Sequence, residues 1–185
     1  TAGIIPWIRT YAPENYIDCA RHATYMPSGA KFADNGLELL EEGMIRPSFT
    51  WGETDTKFVF GGNSVLGSLT KLVRANSQYT VTHGVQAFGL NVSRIDTPYG
   101  SWLFHRYTPF NLDPSLQRSL LAFELDQLIF HYTDDFHFEK DEHFGKGGGS
   151  GLDGLVEAFL TEGGLEIQFP EKAMYCWNFG LDSLL

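Results

Sequence analysis

The sequence predicts an α+β fold: mixed and antiparallel sheets with two short helices. Aromatic residues make up 15% of the 185 residues, and such side chains suit pleated, half-buried surfaces. The 20 glycines point to many tight turns, as a strand-rich chain requires. Only two segments, 34–45 and 64–75, sustain a helical period.

Residues 1–31 read as irregular, punctuated by Pro6, Pro13 and Pro27. The 34–45 helix places Leu37, Leu40 and Met44 on one face, with Asp34 to cap its start and Pro47 beyond its end. Lys57 to Phe60 form a short strand that stops at Gly61-Gly62. In the 64–75 helix, Val65, Leu66, Leu69, Leu72 and Val73 make one apolar stripe, and Asn63 or Ser64 caps it.

Residues 78–82 are a candidate strand, and residues 88–107 read as a β-hairpin turning at Thr97-Pro98-Tyr99-Gly100. Residues 119–133 are two short strands or one bent one. The charged, then glycine-rich run 134–151 reads as an exposed loop. Strands at 154–161, 164–169 and 173–179 close the chain as a meander, with turns at Glu162-Gly163-Gly164 and Pro170-Glu171-Lys172.

The formal charge of −10 disfavours binding to a phosphate backbone, and the 13 Lys and Arg are scattered rather than clustered. Cys19 and Cys176 form no C-x-x-C and read as two free thiols in a reducing cytoplasm. No apolar run approaches the length of a bilayer span. The start at Thr1 runs at once into an apolar segment, which reads as a chain missing upstream sequence.

Three constellations could carry chemistry. His131, His137 and His143 sit among carboxylates, and imidazole with carboxylate suits a divalent metal such as zinc. A metal-dependent enzyme centred on residues 131–143 is therefore the alternative function. Against it, an extended segment spreads the three rings over roughly 20 Å, so one ion would require the loop to fold back. Trp51 or Trp102 could stack a sugar, although core or interface packing is the more economical use of them. Gly145 to Gly151 lacks the spacing of a phosphate loop, and nothing orients Ser64, His83 and Asp96 as a triad.

The order of segments is more informative than any of these clusters. Gly3-Ile4-Ile5-Pro6-Trp7-Ile8-Arg9-Thr10 comes first. A strand–glycine–helix unit begins at Lys57-Phe58-Val59-Phe60-Gly61-Gly62. The hairpin then runs through Val92-Ser93-Arg94-Ile95-Asp96-Thr97-Pro98-Tyr99-Gly100-Ser101, and a connection from Tyr107 to Asp113 follows. The closing strands span Glu157 to Ala173. In this order the segments resemble the major capsid proteins of tailed phages, which share the Hong Kong-type capsid fold.

The resemblance implies a structural shell subunit and not an enzyme, with no catalytic residue and no cofactor. Residues 34–134 would be the axial domain, and 1–33 with 135–185 peripheral segments. The upstream arm, extended loop and long spine helix of that fold have no counterpart here. Partners would be copies of the chain, in pentamers and hexamers of an icosahedral shell around DNA, and other virion proteins. No specific nucleic-acid site or membrane is implied. The chain would be made in the host cytoplasm and reside in the virion. An encapsulin-like compartment shares the fold.

Overall fold

The computed structural model describes residues 3–75, 81–87, 90–140 and 157–184. The fold is α+β: a seven-stranded mixed sheet, a separate two-stranded ribbon, and helices on the sheet's faces.

The N-terminal segment is not irregular. It forms helix α1 (Ile4–Tyr11) and the short strand β1 (Tyr16–Asp18). Pro6 lies in the first turn of α1, where no intrahelical donor is needed, so it permits the helix. The helix expected at 34–45 starts at Phe32 as α2 (Phe32–Glu38), widens to a π-helix over Leu39–Ile45 and ends as α3 (Arg46–Ser48). Pro47 therefore lies inside the helical run, and Asp34 sits in the first turn instead of capping it.

Strand β2 (Thr56–Gly61) leads into α4 (Asn63–Ala75). Val65, Leu69 and Leu72 are buried, as their spacing requires. At the start of α4 the Asn63 N–H donates to Asn111 Oδ1 at 2.8 Å, which ties the helix to a segment distant in sequence.

Strand β3 (Val81–Ala87) follows, and β4 (Leu90–Thr97) pairs antiparallel with β5 (Gly100–Arg106). The expected hairpin is thus formed, in the register Thr97↔Gly100 to Ser93↔Phe104. Gly100 has φ +151°, and a Cβ there would lie 2.6 Å from the Phe49 ring. At the tip the Tyr99 hydroxyl donates to Glu42, so the π-helical segment holds the hairpin.

The apolar run at 119–133 divides between two sheets: β6 (Leu120–Phe123), then β7 (Leu128–Lys140) after a 3₁₀ turn. Residues 134–140, expected in a loop, continue β7, and the rest of that loop lies outside the described residues. The two strands expected at 154–161 and 164–169 are one strand, β8 (Glu157–Ile167). Gly163 and Gly164 do not turn the chain, and neither has positive φ. Nor is the ending a meander. Among the described residues β8 pairs with β7 alone, whereas β9 (Met174–Trp177) lies between β1 and β6.

The large sheet runs β1-β9-β6-β2-β5-β4-β3. β1 and β9, from either side of residues 34–134, enter the same sheet as β2 to β6. Alternation assigns its two faces. Val59, Trp102, Phe104, Leu120, Ala122 and Met174 pack with residues of α2, the π-helix and α4. Phe58, Leu103, Leu121, Phe123 and Tyr175 face the other way, onto Ile8 of α1 and Ile167 of β8. The Ser48 hydroxyl accepts from the Trp102 indole and donates to the Ile45 carbonyl, joining the helical run to β5. No helix among the described residues is long and apolar enough to cross a membrane.

Candidate functional site: an aromatic ribbon and the groove at its root

β7 and β8 form a ribbon of their own, with no third strand among the described residues. Cross-strand partners share a face. Leu128↔Ile167, Phe130↔Leu165 and Tyr132↔Gly163 therefore lie on one side. At the root Ile167 is buried and Leu128 half-buried. Farther out the same face is open: Leu165 is 46% exposed, Phe130 61% and Tyr132 68%.

The root opens into an apolar groove of about 340 Å³. Ile4, Ile5 and Pro6 of α1 form one wall, Phe60 and Tyr107 another, and Leu128 and Leu165 carry it onto the ribbon. Trp7 and Tyr11, in ring contact at 5.2 Å, extend the exposed aromatic surface along α1.

Beneath the root is a buried charge cluster. Lys57, wholly buried on β2, donates to Glu124 Oε1 at 2.9 Å and to the Lys172 carbonyl at 2.6 Å. Lys172 Nζ lies 2.7 Å from the exposed Glu53 carboxylate, a charge contact without hydrogen-bond alignment. Glu124 Oε2 and Gln127 Oε1 are buried without a hydrogen-bond partner among the described residues. Burial pushes the Lys57 pKa down, and the Glu124 carboxylate opposes that shift. The cluster sits where both ribbon strands leave the core, because Gln127 also accepts the Gln168 N–H through its carbonyl. An ion pair tying β2 to the β6–β7 connection fixes the ribbon's exit.

The residues singled out in the sequence are dispersed. His131 and His137 lie six residues apart on one extended strand, opposite Gly164 and Leu160. His131 is exposed and hydrogen-bonded to Glu166 across the ribbon. His143 lies outside the described residues, and His137 is described in its backbone alone. Among the described residues no group of three or more His, Cys, Asp or Glu could hold a metal ion. Trp102 is wholly buried and cannot form a sugar platform, whereas Trp51 is 65% exposed. Asp96 accepts from Arg94 two residues back on the same strand and from Ser101 across the hairpin.

Sequence reasoning missed the ribbon and its root. Alternation at Leu128, Phe130 and Tyr132 against Leu165 and Ile167 was the available signal. Compared with protein-family models and with curated protein sequences, the chain finds no match.

Proposed function

We propose that the chain is a structural shell subunit whose copies bury the ribbon face and its groove against one another. The assembly is a capsid of pentamers and hexamers around DNA, made in the host cytoplasm and carried in the virion. The observation that carries this reading is the open apolar face of Phe130, Tyr132 and Leu165 on a ribbon with no third strand among the described residues.

A two-stranded ribbon alone is marginally stable in water. Its exposed face gains from a partner what the chain's own core does not supply. Aromatic anchors ringed by polar residues are what association surfaces use, and heterologous contacts that close by symmetry build shells from one subunit. The charge of −10 lets a shell wall enclose DNA without gripping it. The β4–β5 hairpin, a main element of the resemblance to phage capsid proteins, gives further support.

Sedimentation velocity tests the reading. The wild-type chain forms multimers as concentration rises, whereas Phe130→Asp with Tyr132→Asp remains a monomer with an unchanged melting temperature. A wild-type chain that stays monomeric at every concentration contradicts it.

A further inference from the structure

We infer that Cys19 and Cys176 form a latent disulfide, a covalent clasp between the exit of β1 and the last strand. The sequence separates the two thiols widely, and the sheet brings them together. β1 runs parallel to β9 with Ile17 opposite Cys176 and Asp18 opposite Trp177. Cys19 follows at once, and the turn it begins packs on β9. Both side chains belong to the core on the helical face, at 1% and 0% exposure. The two thiols are neighbours that interact electrostatically, and the Cys19 thiol donates to Met44 Sδ at 3.9 Å.

The backbones are pinned at this point by a hydrogen bond from Asn178 Nδ2 to Asp18 Oδ1, at 2.9 Å. Cys176 stands opposite Ile17, and Cys19 follows two residues later in a turn that packs on β9. Closing the clasp brings the two Cα atoms within the roughly 4.4–6.8 Å that disulfides span, a movement the short edge strand β1 allows.

The clasp is open in a reducing environment and slow to close elsewhere. Burial pushes the Cys176 thiol up, so little reactive thiolate forms in the closed fold. Access comes when β1 frays, since it is a three-residue strand at the edge of the sheet, paired among the described residues with β9 alone. The oxidant is a low-molecular-weight disulfide. One protein thiolate attacks it, forming a mixed disulfide and releasing one small thiolate. The second protein thiolate attacks the protein sulfur of that bond, releasing the other. Two protein thiols are oxidised, one small disulfide is reduced to two thiols, and the two protons pass to the leaving groups. A particle leaving a reducing cytoplasm meets such conditions, but the chemistry does not depend on the chain forming a shell.

The test is incubation of the folded chain with oxidised glutathione, followed by intact mass and peptide mapping under denaturing conditions. The expected product has lost about 2 Da, carries no glutathione, and yields a peptide linking Cys19 to Cys176. Its thermal midpoint rises by about 5–10 °C and returns on reduction. Cys19→Ser shows neither the mass loss nor the rise. Two thiols that still react with maleimide after equilibration and denaturation, or two separate glutathione adducts, overturn the inference. Neither readout concerns self-association, so its failure is separate from that of the shell reading.

Discussion

The ring of Phe130 lies across Gly163 on the neighbouring strand: a Cβ at position 163 would stand 2.5 Å from Phe130 Cζ and 3.1 Å from the His131 carbonyl oxygen. The glycine is therefore a seat for an aromatic ring and not a turn. Covering a strand glycine with a diagonal aromatic side chain stabilises a pairing that glycine weakens.

Gly163→Ala should consequently displace the Phe130 ring and reshape the open face without disturbing the core. Self-association measured by sedimentation should weaken about tenfold, or ~1.4 kcal/mol. The melting temperature should stay within about 3 °C of wild type, because the moving atoms are the exposed end of one side chain. Unchanged association would show that this face is not the contact surface.

The adjacent glycines 61 and 62 differ in what they permit. A Cβ at Gly62 would lie 2.3 Å from the Gln117 carbonyl oxygen, whereas at Gly61 the nearest atom is Val65 Cγ1 at 3.5 Å. Backbone cannot swing aside as a side chain can. Gly62→Ala should cost about 2–4 kcal/mol in urea unfolding and Gly61→Ala about 1 kcal/mol or less. Equal losses would contradict the strand-to-helix junction described above.

These elements show where the sequence was legible. The α4 stripe and the β4–β5 hairpin were readable because their apolar spacing and turn residues act locally. What cues were misread had causes elsewhere in the chain. Pro6 suggested irregular chain but falls where a helix tolerates it. Pro47 suggested a stop, but the helical run continues through it to Ser48. Charged residues 134–140 suggested a loop, yet their backbone pairs with β8. The buried Lys57 was read as an ordinary strand residue, because its partner Glu124 is distant in sequence. The metal-site alternative at His131, His137 and His143 rested on residue type, while the spacing already argued against one shared ion, and His143 lies outside the described residues.

The Lys57–Glu124 pair is a matter of burial before attraction. Removing one partner strands the other: Lys57→Ala should cost about 3–5 kcal/mol by chemical unfolding. Replacing both, as Lys57→Met with Glu124→Leu, should recover most of that loss. A double variant as unstable as the single one would show that the cluster is required as charge and not only as filled space.

Its pH dependence has a definite sign. An unfolded lysine keeps its proton to about pH 10.4, while in the fold Lys57 releases it earlier because burial disfavours the charge. Across that window the unfolded chain binds more protons, so this group's contribution to stability rises with pH. The buried Cys176 thiol acts in the opposite sense, since its pKa is raised in the fold. Comparison with Lys57→Met isolates the lysine. From pH 8 to pH 10, the difference in unfolding free energy should move in favour of the wild type. A shift towards the variant would mean that Lys57 is not held charged at a cost.

The central claim is that the ribbon's open face meets another copy of the same chain, and a photo-crosslinking side chain at Tyr132 tests it most directly. Mixing isotopically light and heavy chains before irradiation should give a covalent species of twice the chain mass containing one chain of each label. Its crosslinked peptides should join the ribbon to a second molecule. Irradiation that yields only monomer, or only crosslinks within one chain, at concentrations up to those of a saturated solution would contradict the account.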